Sequence, residues 1–299
     1  PSGAQTLDFR RSVVSDRPAV IVVMIVLLGC ALSGAMVAHV PVVVDLGRGS
    51  SIVVHVPQAD ATAEQELLSS MLSKTQDAPS ASEVGAKLEE MRAIAGMDAI
   101  PPSAAMARVV WPASVALASL LTHCPSFCKG MSVLEVGAGL GTVGLAAAAA
   151  GARSVVLTDL EEESLEWARR SADANGVAEL VDTAVLDWTS ESDRCRLCEE
   201  HGPFDLVIGA DVLFRHTLVE PLADVIRDVL LADEHNTAPR AMLADPTSRA
   251  LRPALSTALT SPGDAAASSC AIECSEMPLP MIVPGLEAMT LVNAVRSDA

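Results

Sequence analysis

Short apolar runs recur between residues 132 and 295, separated by stretches in which apolar and charged positions alternate at helical spacing. The runs at 132–136, 154–159, 183–186, 204–210, 240–244, 271–273 and 289–295 predict strands. Apolar residues three and four apart over 161–175 and 218–231 predict helices between them. Most of these strands are apolar throughout and do not alternate, which is the pattern of strands covered on both faces. Strand and helix alternating with short links predict an α/β architecture: a doubly wound, mostly parallel seven-stranded sheet.

The N-terminal part reads differently. Residues 19–44 carry no formal charge and follow Arg10, Arg11 and Arg17. That length and flank predict a membrane-spanning or targeting segment, bounded at 19–38 because His39 and Pro41 interrupt it. Residues 42–56 then predict two strands around a Gly-rich turn. Leu and Met at helical spacing over 61–74 and 82–96 predict two helices, joined by a polar link containing Pro79. The expected organisation is a tail over 1–45, a hairpin and helical extension over 46–106, and a compact domain over 107–299. A positively flanked, uncleaved segment would leave the domain across the membrane from the cytosol, a tension that favours organelle targeting or no membrane segment at all; the expected location is cytoplasmic or organellar, with anchoring through 19–38 as the alternative.

The chemistry gathers at predicted strand ends, where open α/β sheets bind ligands. The first strand runs into Glu135, Gly137, Gly139 and Gly141, and the second ends at Asp159. The third gives Asp187 and Trp188, the fourth Ala210, Asp211 and Phe214, and the fifth Asp245 with Arg249. A glycine turn between strand and helix lets backbone approach a ligand and exposes the first N–H groups of the helix. An acid at the next strand end suits ribose hydroxyls. Asp187 is placed to accept from an adenine amino group, and Trp188 to cover the ring. Gly139, Gly141 and Gly144 also fit the glycine spacing of dinucleotide binders. Glu135 opposes that reading, because an acid before the turn repels a pyrophosphate. It favours a ligand with cationic groups and no phosphate, such as S-adenosylmethionine. The plain alternatives are an N-cap role for Asp211 and ordinary core packing for Phe214 and Trp111.

Composition narrows the classes further. Half the residues are hydrophobic but only 2% are aromatic and Tyr is absent, so the core must be Leu, Val, Ala and Met. A net charge of −18 argues against binding a nucleic acid backbone and is compatible with basic protein partners. Of the seven Cys, Cys195 and Cys198 with His201 have metal-like spacing, but no second close pair accompanies them, so no metal is expected.

Together, Glu135-x-Gly-x-Gly-x-Gly141, Asp159, Asp187-Trp188 and Asp211-x-x-Phe214 resemble the seven-strand, Rossmann-like S-adenosylmethionine-dependent methyltransferases. More narrowly, they resemble the protein-lysine methyltransferases of methyltransferase family 16. Trp111-Pro-Ala-Ser114 is similar to the family segment that walls the cofactor site, and Asp211-x-x-Phe214 to its D-x-x-(Y/F) motif. The run from Ala244 to Arg249 resembles members near the electron-transfer-flavoprotein lysine methyltransferases. The resemblance covers roughly residues 107–299. It implies S-adenosylmethionine held by Trp111, Glu135, Gly137, Gly139, Gly141, Asp159, Asp187, Trp188 and Ala210. It implies catalysis at Asp211 and Phe214, a protein substrate presenting a lysine, and a monomeric enzyme. Asp211 would orient the incoming amine, while Phe214 and Trp111 would desolvate it and favour its neutral form. The hydrophobic N-terminus departs from the family pattern. The Ala/Ser/Pro-rich stretch at 263–284 reads as poorly ordered, which puts the sixth strand in doubt. Three other readings stand beside this one: a methyltransferase for small molecules or other protein groups, a nicotinamide-dependent oxidoreductase, and a non-catalytic membrane-tethered scaffold.

Overall fold

The arrangement of the chain follows from which runs are apolar on both faces. The computed structural model describes residues 39–57, 110–231, 239–261, 270–280, 282–283, 286 and 288–298. The candidate membrane or targeting segment at 19–38 and the helices expected at 61–74 and 82–96 lie outside the described residues. Among the described residues no helix is long and apolar enough to cross a membrane.

Strands β1 (His39–Asp45) and β2 (Ser51–Pro57) form the expected antiparallel hairpin. The domain then begins with α1 (Pro112–His123), started by a proline in its first turn, where the missing N–H costs nothing. Next come β3 (Ser132–Val136), α2 (Thr142–Ala149), β4 (Ser154–Asp159), α3 (Glu162–Ala174) and β5 (Val181–Val185). They are followed by α4 (Glu191–His201), β6 (Leu206–Ala210), α5 (Val219–Leu231), β7 (Arg240–Pro246) and α6 (Arg252–Thr260). The chain closes with β8 (Cys270–Pro278) and β9 (Met289–Asp298).

The sheet order is β5-β4-β3-β6-β7-β9-β8. Strands β3 to β7 are parallel, and β9 runs antiparallel to both β7 and β8. The order reverses between β3 and β6, so their C-terminal ends flank the switch point where ligands bind in such sheets. All five residues of β3 and of β6 are buried. Successive residues feed opposite cores: Val133 joins one cluster and Leu134 the other, as do Leu206 and Val207. One cluster gathers α1, α2, α3 and the hairpin, and the other gathers α5 and α6 with Leu197 of α4. This is the doubly wound α/β sheet that the apolar pattern predicts.

Helix α2 is buried along nearly its whole length, and its Ala and Gly residues let its neighbours come close. The hairpin is bolted to the domain. Asn175, the residue after α3, accepts from Val53 N at 2.9 Å and donates to Val53 O at 2.6 Å. Ser171 Oγ accepts from His55 N at 2.8 Å, and Ser119 Oγ donates to Leu46 O at 2.5 Å.

One expectation is corrected. The stretch at 263–284 reads as poorly ordered from its composition, yet Cys270–Pro278 is a strand paired with β9 along its length. It stands at the sheet edge with most of its described side chains exposed, so Ser275 and Glu276 fit there without an apolar signature.

Candidate active site

The C-terminal ends of β3, β4, β5, β6 and β7 line one rim, and the acids read from the sequence stand along it. The turn after β3 is left-handed at Gly137 and Gly139, with φ of +60° and +51°, a conformation that costs glycine little. A Cβ on Gly137 would sit 3.0 Å from Val212 Cγ1 and 3.4 Å from Trp188 Cζ2. The indole of Trp188 and the side chain of Val212 therefore both pack where a side chain at Gly137 would stand. Asp159, at the end of β4, accepts from Gly139 N at 2.8 Å and from Glu161 N at 3.1 Å. Burial raises its pKa, against the pull of those backbone bonds.

Glu135 has a second task. Its side chain is 3% exposed, and Oε2 accepts from Gly144 N at 2.8 Å, in the first turn of α2. It thus satisfies an orphan N–H at a helix start that has no side-chain cap from Gly141. Burial pushes Glu135 up to about 8, even though the Gly144 and Val143 N–H groups favour its charged form. Its electrostatic case against a pyrophosphate is accordingly weaker than the sequence suggests. Asp187 folds back on its own turn, accepting from Thr189 N at 2.9 Å and Thr189 Oγ1 at 2.7 Å.

A second cluster stands at the ends of β6 and β7. Asp211 has φ of +57°, the left-handed region that costs a non-glycine residue about 1–3 kcal/mol unless its surroundings hold it there. Its N–H donates to Ala244 O at 2.9 Å, tying the two strand ends together. Its side chain, 4% exposed, forms an ion pair with Arg249. Arg249 Nε also lies 3.7 Å from Asp245 Oδ1. Asp245 is completely buried, and burial pushes it up to about 7 against the opposing influence of Arg252 and the Leu213 N–H. Arg252 braces the turn after β7, donating to Pro246 O at 2.6 Å and Thr247 O at 2.9 Å. A cavity of about 500 Å³ opens beside this turn, between Ala116, Thr247, Arg252 and Met289.

These bonds and contacts bring together Glu135, Gly137, Gly139, Asp159 and Trp188 around the turn, with Asp211 reached through its neighbour Val212. They do not include Ala210, Trp111 or Phe214. Trp111 precedes α1, and its carbonyl accepts from Val115 N at 3.2 Å. Phe214 is half-buried, with the Arg215 guanidinium 5.7 Å from its ring centre. No sequence signal singles out Val212. The sequence does carry a signal for Gly144, the third glycine of the spacing, and for Arg249, four residues beyond Asp245 near the end of β7.

Glu135, Asp159 and Asp187 bring carboxyl groups to the glycine turn and its rim. Their carboxyl oxygens accept from hydroxyl and ammonium groups, which fits a ribose- and ammonium-bearing cofactor. Fold and rim together resemble those of the seven-strand class of S-adenosylmethionine-dependent methyltransferases. The comparisons narrow this further. Residues 102–241 match the family model Methyltransf_16, described as lysine methyltransferase. The Danio rerio protein N-lysine methyltransferase METTL21A is 36% identical over 112 residues, which are 36% of this chain and 49% of that protein. The electron transfer flavoprotein beta subunit lysine methyltransferase of Xenopus laevis is 27% identical, over 46% of this chain and 51% of its own. The histone-arginine methyltransferase METTL23 of Mus musculus is 36% identical, over 35% of this chain and 40% of its own. The chain spans about half the length of the first curated relatives it matches. Among solved structures, a putative SAM-dependent methyltransferase from Streptococcus mutans is similar with a TM-score of 0.47 and 13% identity, covering 62% of this chain and 49% of that chain.

Proposed function

We propose that this protein transfers a methyl group from S-adenosylmethionine to a lysine side chain of another protein. The observation that carries the reading is Asp211, a nearly buried carboxylate in a left-handed backbone conformation at the end of β6, one residue from the Val212 that packs on the glycine turn.

When bound, the cofactor supplies a methyl group made electrophilic by its sulfonium. The residues of this chain do the rest by placement. Gly137 and Gly139 leave room for close approach, Asp159 accepts from the ribose, and Trp188 supplies an apolar wall. Asp187 accepts from the base, and Glu135 and Gly141 shape the start of α2. Asp211 would hold and orient the acceptor nitrogen, and alignment of donor and nucleophile provides much of the rate in a displacement. A free lysine has a pKa of about 10.4, so it must lose a proton before attack. Phe214 and Trp111 lower the polarity around it and favour the neutral amine.

Calorimetry with S-adenosylmethionine tests the first half: binding is expected, and Gly139→Arg should abolish it. Asp211→Asn is expected to lose methyl transfer while keeping cofactor affinity. Activity near that of the unmutated protein would remove Asp211 from the mechanism. A second reading, an arginine acceptor, is favoured by the likeness to the histone-arginine methyltransferase over 107 residues. Transfer of radiolabelled methyl to proteins of an extract, followed by mass spectrometry of the labelled residue, separates the two.

A further inference from the structure

The carboxylate assigned to the acceptor already holds a cation. Arg249 pairs with Asp211, and at 26% exposure it is the more accessible of the two. The backbone around the pair is fixed: Asp211 N is bonded to Ala244 O, Arg249 N donates to Pro246 O at 2.9 Å, and Arg252 braces the same turn. A second carboxylate waits for Arg249, because Asp245 Oδ1 stands 3.7 Å from its Nε.

From this geometry, and resting on the reading that Asp211 receives the acceptor, we infer that Arg249 is a stand-in for the acceptor cation, displaced from Asp211 onto Asp245 when the acceptor arrives. The exchange follows from the cost of an unpaired buried charge. Removing a paired cation from a carboxylate as buried as Asp211 is strongly unfavourable. A resident guanidinium avoids that cost before the acceptor binds, and it sets a threshold that only a well-placed cation passes. Asp245 makes the displacement reversible. Burial biases its carboxyl toward the neutral form, and a guanidinium moved against it would favour the charged form. Arg249 thereby determines which acceptors are admitted, acting through Asp211 and not on the methyl group.

The test uses the whole chain saturated with S-adenosylhomocysteine and titrated with n-butylammonium, the head of a lysine side chain, followed by NMR. Unmutated protein should bind the amine weakly. Arg249→Gln should bind it at least about tenfold more tightly, because the competitor is gone. Arg249→Lys, which keeps a cation, should stay near the unmutated affinity, and Asp211→Asn should lose binding in either background. Affinity in Arg249→Gln that is unchanged or weaker overturns the inference. If that variant fails to fold, Asp245→Asn decides, since it removes the alternate seat and changes shape least. It should weaken amine binding about tenfold, and unchanged affinity would eliminate the exchange. This titration needs no methyl transfer, so a protein that exchanges Arg249 but methylates no lysine would refute the proposed function and leave the exchange standing.

Discussion

Gly144 lies in the first turn of α2 with less space than an alanine requires. A Cβ there would come within 2.2 Å of Leu157 Cδ2 and 2.6 Å of Glu135 Oε2. Overpacking of this kind costs about 1–3 kcal/mol. Gly144→Ala should therefore lower the unfolding free energy by that amount in urea, and it should weaken the Glu135 contact that closes the helix start. An unaltered unfolding midpoint would mean that β4 and α2 part more readily than their packing implies. Glu135 carries a prediction of its own. Its pKa in the fold is about 8 against an ordinary 4.5, so the folded chain keeps a proton that the unfolded chain gives up. The resulting stabilisation is complete below about pH 4.5 and is lost as the pH rises through about 8. Glu135→Gln has no proton to lose. The stability of the unmutated protein, measured relative to this variant, should fall between about pH 5 and about pH 8. Parallel pH profiles for the two proteins would place Glu135 in a more polar setting than its burial gives it.

Among the elements, the hairpin shows best where a sequence stops being legible. The parallel strands could be read because β3, β4 and β6 are buried on both faces and must be apolar throughout, and because acids mark the ends of β3 and β4. The glycine turn and Asp159 could be read for the same local reason. The existence of the hairpin also shows in its alternation, but its seat does not. Val53 is paired with Asn175, 122 positions away, and nothing near either residue announces the other. Likewise the Arg249–Asp211 pair spans 38 positions, and only 271–273 of β8 reads as a strand, because an edge strand need not be apolar along its length. Asn175→Ala tests the seat directly. It removes two hydrogen bonds to Val53, each with a net worth of about 0.5–1.5 kcal/mol. Hydrogen exchange at the Val53 amide should accelerate, while the His55 amide, held by Ser171, should change less. Equal acceleration at both would show that β2 detaches as one unit.

At the scale of the whole molecule the dominant fact is charge. A net −18 gives the protein a field that attracts basic partners before any contact forms, and such steering weakens as salt shortens its reach. The Debye length falls from about 10 Å at 0.1 M salt to about 3 Å at 1 M. Within the rim, by contrast, the glycine turn and its acids are packed closely enough that a bound cofactor would be screened far less. The two binding events should then separate under salt. The KM for a lysine-rich protein acceptor is expected to rise several-fold across that range, while the Kd for S-adenosylmethionine changes little. The same experiment on Asp211→Asn distinguishes field from site. If the field governs encounter, residual acceptor binding to that variant keeps its salt dependence, although the variant transfers no methyl group. A KM that does not respond to salt would confine recognition of the acceptor to the buried pair of acids at the ends of β6 and β7, and the −18 would then serve solubility alone.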